Sequence, residues 1–248
     1  MKSKSSFVKV LVITSCHGEK KYVPDNIAIS KDLDDLESRS IKEEELKNYK
    51  VKAKEMFISN QNKMIAESLN YYDTSKALID VSFVSSGYGY INSDDYVIPY
   101  DLNFSAMSMI ELDKRSSFLK IHEELYYSAK NYDLVFFMLN NEYLRVIKLP
   151  IELPKNVKQI FFISSSDEKF LSLEEDIFLV KTGNEEAAKF NITPSELKSH
   201  IFKLICQASK DENVFAEIYN EQSYINNIIK KELSTNMIKV DQLNMFDL

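Results

Sequence analysis

Phe7-Val8-Lys9-Val10-Leu11-Val12-Ile13-Thr14 runs directly into Ser15-Cys16-His17-Gly18. A β-branched, apolar run that ends in a polar turn with a glycine is the pattern of a central strand buried on both faces. Three further stretches read the same way: residues 81–84, 134–139 and 157–163. Between them the period lengthens. From about residue 40 to 69, Leu46, Tyr49, Ala53, Met56, Phe57, Ile65 and Leu69 recur among charged residues, which predicts a long or broken helix. Residues 107–127, carrying Met107, Ile110, Leu119 and Leu125, read as another helix, and 142–147 as a short one. Strands alternating with helices predict an α/β fold, with a mostly parallel central sheet flanked by helices.

The last third changes character. Thr193 before Pro194, with Glu196 completing a capping box, predicts a helix start, and Leu197, Ile201, Leu204 and Ile205 supply its apolar stripe. A second helix is expected over about 212–233. The expected organisation is an α/β core over residues 1–165, a helical extension packed on it over 166–240, and a flexible terminal peptide over 241–248. No internal repeat or low-complexity block interrupts this.

With 248 residues, 44% hydrophobic and 12% aromatic, the chain can bury the core of one large or two small domains. A net charge of −7 argues against a generally basic nucleic-acid binder but leaves room for a local basic patch, so bulk charge neither supports nor excludes DNA. No apolar stretch approaches the roughly 20 residues that cross a bilayer, so no membrane partner is expected. Cys16 and Cys206 lie far apart, and no basic-then-apolar leader is visible, so a reduced cytoplasmic setting is expected. Three scattered histidines and two distant cysteines match no ligand spacing; neither a metal nor another cofactor is expected.

Three strand exits carry chemistry. The first, Ser15 to Lys21, offers turn N–H groups with Lys20 and Lys21 for an anion. Cys16 beside His17 resembles a nucleophile next to a base, although neighbours in a strand-like segment point to opposite sides. The second, Ser85-Ser86-Gly87-Tyr88-Gly89-Tyr90, concentrates two of the chain's four glycines where a strand ends. It is either a ligand loop or a tight turn whose tyrosines pack. It returns through Pro99-Tyr100-Asp101, where Asp101 reads as a turn residue or as a ligand-binding or catalytic group. The third is Asn140-Asn141-Glu142-Tyr143. In a parallel sheet the three exits would converge on one crevice.

Ala53-Lys54-Glu55-Met56-Phe57, Gln61, Ser86-Gly87-Tyr88-Gly89, Ile98-Pro99-Tyr100-Asp101 with Phe104, Asp133-Leu134 and Glu142-Tyr143-Leu144, taken in order, resemble a family of uncharacterised bacterial proteins. These are the peroxide-stress YaaA-like proteins, also grouped with the DUF6884 domain. The turn from Ser15-Cys16 to Lys20-Lys21 is similar to that group's opening cysteine-lysine motif. The resemblance spans about residues 8–150. A more distant similarity, to the glycosylase-like domain of archaeosine synthases, implies a fold of the uracil-DNA-glycosylase type and chemistry on a nucleobase or nucleotide. Three positions depart from the family pattern. Asn62 stands where a histidine is usual, Ser59 where a glycine is usual, and Asn140-Asn141 where a glycine-aspartate pair is usual. The histidine and the acid are natural proton-transfer groups.

Asp241-Gln242-Leu243-Asn244-Met245-Phe246 resembles the pentapeptide with which bacterial polymerases and repair proteins dock into the sliding clamp. Gln242 would be its polar anchor, and Leu243, Met245 and Phe246 would fill apolar pockets. The alternative is a tail packed on its own protein.

The expectation is therefore a protein that binds a nucleotide or nucleobase through Ser15, Cys16, Lys20, Lys21, Ser86, Gly87, Tyr88, Gly89, Tyr90, Asn140 and Tyr143. Its setting would be DNA modification, repair or phage defence. As an enzyme it would be a glycosidic-bond hydrolase, with Asp101, beside Tyr100, as general base. The alternative is a non-catalytic adaptor or nucleotide sensor that meets DNA-associated partners through its helical extension and terminal peptide.

Overall fold

A computed structural model describes residues 7–164 and 177–246, with side chains as far as 235. The opening run forms β1, Val8–Ser15, and its alternation sorts the core. Val8, Val10 and Val12 face one side of the sheet, while Leu11 and Ile13 face the other. The strand pairs in parallel with β3 (Ala77–Ser85) on one side and with β6 (Leu134–Met138) on the other. Beyond β6 lie β7 (Lys158–Ile163) and β8 (Ile177–Lys181), both parallel, and β4 (Gly89–Asn92) closes the opposite edge antiparallel to β3. The sheet order is β4-β3-β1-β6-β7-β8. Its parallel strands, numbered by appearance, thus run 2-1-3-4-5, the doubly wound order whose topological switch lies between β1 and β6. The mostly parallel α/β fold expected from sequence is the one observed.

Aromatic residues of β6 and β7 continue the sorting. Phe137 and Phe161 stack on one face with centroids 4.2 Å apart. Phe136 packs on the other against Phe162 and against Phe202 of a C-terminal helix.

The region read as one long or broken helix over 40–69 is divided into short pieces. After α1 (Ser30–Leu33), which precedes the region, these are α2 (Leu36–Glu45), a 3-10 turn, β2 (Val51–Lys52), α3 (Ala53–Met56) and α4 (Asn60–Ser68). The break follows from tertiary pairing. β2 forms a ribbon with β5 (Tyr96–Val97), and the Ala53 and Lys54 amides donate to carbonyls of Asp95 and Ser93. The helix expected over 107–127 is two, α5 (Met109–Phe118) and α6 (Ile121–Ala129), separated at Lys120, whose φ is +49°. α7 spans Asn141–Val146.

The last third contains more than helices. β8 adds a fifth parallel strand, so the sheet continues past the expected boundary at 165. Then follow α8 (Asn184–Phe190), α9 (Pro194–Ala208), α10 (Val214–Asn220) and α11 (Tyr224–Phe246). The capping box of α9 is present: the Thr193 amide donates to the Glu196 carboxylate at 3.2 Å. Leu197, Ile201, Phe202 and Ile205 bury the α9 stripe against the sheet face formed by Val8, Val10 and Val12. The stretch over 241–246, read as a separate flexible peptide, continues the backbone of α11. The side chains of Gln242, Leu243, Met245 and Phe246, and with them the clamp motif, lie outside the described residues. Among the described residues no helix is long and apolar enough to cross a membrane.

Candidate functional site

At the carboxyl ends of β1 and β6 lies a cavity of about 340 Å³. Crevices at such a switch point are where open α/β sheets bind ligands. Four pieces of chain build it. The β1 exit contributes Ser15, His17, Gly18 and Glu19, and the end of β6 contributes Met138 and Asn140. The first turn of α4 brings Ser59, Asn60 and Gln61, and the start of α9 brings Ser195 and Lys198.

A hydrogen-bond network anchors α4 to both strand ends. Gln61 Nε2 donates to Thr14 Oγ1 and to the Met138 carbonyl, each at 2.9 Å. Thr14 Oγ1 in turn donates to Asn62 Oδ1 at 2.9 Å, and Asn62 Nδ2 donates to the Ser15 carbonyl at 3.1 Å. Gly18 lets the β1 exit turn back over α4. Its φ is +97°, and a Cβ there would stand 2.9 Å from Ser59 Cβ. Ser59 caps α4 by accepting from the Asn62 amide. Lys198 Nζ donates to the Leu139 carbonyl, which holds its charge beside the cavity. The positive ends of the α4 and α9 dipoles reach the same space, so a cation and two helix N-termini share the cavity lining with His17 and Glu19. Among the described residues, the buried Asn140 Oδ1 has no hydrogen-bond partner.

Of the residues expected to bind a ligand, Ser15 and Asn140 line this cavity; the others lie elsewhere. Cys16, Ser86, Tyr100 and Tyr143 are buried together on the opposite face of the sheet. Cys16 Sγ is 3.3 Å from Tyr143 Oη and 3.8 Å from Ser86 Oγ, and Tyr100 Oη is 2.7 Å from Ser85 Oγ. Burial is the main reason that the phenols of Tyr100 and Tyr143 are pushed well above the usual tyrosine range, with Cys16 adding to it.

The glycine segment is a tight hairpin turn between β3 and β4, not an open loop. Ser85 pairs with Gly89, and Gly89 adopts φ +78°, the left-handed residue that closes a three-residue hairpin. Gly87 lies against the Tyr100 ring, where a Cβ would come within 3.1 Å. Tyr88 Oη accepts from the Ile98 amide, and Tyr90 Oη donates to Ser128 Oγ. The ring of Tyr88 packs 5.8 Å from that of Tyr100. Packing therefore fills the β3 exit, and no residue of the hairpin turn lines the cavity.

Lys20 Nζ sits 4.6 Å over the Tyr100 ring, and Lys21 pairs with Glu55 at 3.7 Å. Asp101 is exposed and donates its amide to the Ala28 carbonyl. None of these three lines the cavity. Of three expected exits, two converge, those of β1 and β6.

No protein-family model matches the chain, and no curated protein matches it. The site rests on its own geometry. His17, Gly18 and Glu19 belong to the Ser15–Lys21 turn read as a strand exit, whereas Ser59, Asn60, Gln61, Met138, Ser195 and Lys198 were not expected to line a ligand site. One signal for them was available, since the Thr193 capping box announces a helix start with Ser195 and Lys198 in its first turns. β8, an unexpected strand, precedes α8 and α9 in the chain. Among the described residues no group of three or more His, Cys, Asp or Glu is placed to hold a metal ion.

Proposed function

We propose that this protein binds a nucleotide or nucleobase-containing ligand in the cavity between β1 and β6. The observation that carries the reading is the convergence of the α4 and α9 N-termini and Lys198 on one crevice at the switch point. Helix N-terminal amides and a lysine suit a phosphate, and the carboxamides of Asn60, Gln61 and Asn140 suit the polar edge of a base. The motif resemblance to the YaaA-like family and to the archaeosine-synthase glycosylase-like domain supports the same ligand class.

Hydrolysis of an N-glycosidic bond, in DNA modification, repair or phage defence, is the reaction that fits this ligand. Beside Lys198, the ionisable side chains of the lining are His17 and Glu19. In such a reaction Glu19 takes a proton from the attacking water as its oxygen bonds to the sugar carbon. His17 protonates the departing base nitrogen as the glycosidic bond breaks. Asp101, exposed and outside the lining, has no part in this scheme.

Calorimetric titration with nucleoside monophosphates tests the binding. Lys198→Gln is expected to weaken affinity at least about tenfold, a typical loss for a charge-assisted hydrogen bond. Unchanged affinity would remove the phosphate from this end of the cavity. Chromatographic assay of base release, with Glu19→Gln as the inactive control, tests the reaction.

A further inference from the structure

We infer that Gln61 selects the ligand of this cavity, by presenting a fixed hydrogen-bond acceptor to the exocyclic amino group of a base. The inference rests on the nucleotide-binding reading above and adds a base class to it.

Both hydrogens of Gln61 Nε2 are spent on the protein, one on Thr14 Oγ1 and one on the Met138 carbonyl, each at 2.9 Å. The carbonyl decides the orientation of the carboxamide. A carbonyl oxygen only accepts, so the nitrogen and not the oxygen of Gln61 has to face it. The carboxamide is planar and its nitrogen is held from two strands, so Oε1 is turned away from the strand ends. Among the described residues Oε1 accepts no hydrogen bond, and it is not buried. Gln61 lines the cavity, and of its two carboxamide heteroatoms the oxygen is the one left with a free hydrogen-bonding position. Asn140 of the lining also has a carboxamide oxygen without a partner, in its case a buried one.

A free glutamine reads a base edge with a donor and an acceptor together. Gln61 has no donor left to offer, so it cannot adapt to a base that presents an oxygen. An amino group in front of Oε1 makes a hydrogen bond. A keto oxygen in the same place sets two lone pairs against each other and leaves the protein acceptor unpaired, which is how a site rejects a near-isosteric ligand. The cavity is thus assigned to adenine-type or cytosine-type bases over their 6-oxo or 4-oxo counterparts.

The test is calorimetric titration of the full chain with the monophosphates of adenosine, inosine, purine riboside, cytidine and uridine. For at least one of the adenosine–inosine and cytidine–uridine pairs, the amino member is expected to bind about tenfold or more tightly than the oxo member. Purine riboside monophosphate, which lacks both groups, is expected between adenosine and inosine monophosphates if the purine pair is the discriminated one. In Gln61→Met the preference is expected to fall to within about twofold, whereas a purely structural role would weaken both members alike and leave their ratio standing. Equal binding within both pairs by the natural protein overturns the inference and leaves the nucleotide reading intact. A ratio preserved in folded Gln61→Met also overturns it. No binding of any of the five overturns the nucleotide reading, and the inference with it. The comparison in the natural protein needs no variant, so the inference stays exposed even if Gln61→Met fails to fold.

Discussion

Cys16 Sγ lies 3.3 Å from the phenolic oxygen of Tyr143, a contact between residues 127 positions apart. Cys16 is 3% exposed and Tyr143 1%. The two residues sit behind the sheet and not in its crevice. The thiol that stood next to His17 in sequence is packed against a phenol, while His17 itself is exposed and lines the cavity.

Burial is expected to keep both thiols unreactive in the folded state. Cys206 is fully buried, and burial pushes its thiol above the ordinary range. A chromogenic disulfide reagent is expected to react with neither cysteine in the folded chain and with both in denaturant, since reactivity follows exposure and thiolate content. Rapid labelling of Cys16 in the folded protein would show that the β1 exit opens.

Asn62 holds Thr14 and the Ser15 carbonyl at once and is 6% exposed. Asn62→Ala leaves a buried hydroxyl and a carbonyl without their partner, at a cost of about 2–3 kcal/mol. Urea unfolding should show the midpoint fall with an unchanged slope. A midpoint that does not move would mean that α4 is held by its apolar face alone.

Gly18→Ala meets two obstacles, a φ of +97° and a Cβ placed 2.9 Å from Ser59 Cβ. The backbone strain alone is worth about 1–3 kcal/mol. Thermal melting should fall accordingly, and because Gly18 and Ser59 both line the cavity, ligand affinity should fall with it. Full stability in this variant would place the β1 exit turn in a different conformation.

Alkaline pH is expected to destabilise the fold. Burial pushes Tyr88 up to about 12 and raises Tyr90, Tyr100, Tyr132 and Tyr143 as well. An unfolded tyrosine loses its proton near pH 10. Above that pH the unfolded chain binds fewer protons than the folded one, so stability is complete below pH 10 and falls as pH rises through about 12. Tyrosinate absorbance should show these phenols ionising together with unfolding. A smooth, non-cooperative titration of all tyrosines near pH 10 would contradict their burial.

Much of the fold was legible because burial leaves a local record. The run Phe7 to Thr14 announced a strand covered on both faces, and β1 is that strand. The capping box at Thr193 announced α9. Where tertiary pairing competed with periodicity, the reading failed. Val51 and Lys52, within the stretch read as a long or broken helix, entered a ribbon with Tyr96 and Val97. Gly87 and Gly89 left a ligand loop and a tight turn both open, because glycine signals backbone freedom or close approach without saying which. Here Gly89 turns a hairpin and Gly87 makes room for Tyr100.

By itself the sequence determined that alternating strands and helices build a parallel α/β sheet, and that polar residues gather where strands end. Tertiary structure alone decided which of those ends meet. Strand order put the exits of β1 and β6 side by side and packed the β3 exit into a turn. It also carried Gln61 to Met138, 77 positions away, and Lys198 to Leu139. Periodicity reports whether a residue is covered; the hydrogen-bonded order of strands, a non-local property, reports what covers it, and the cavity is made of the second kind of information.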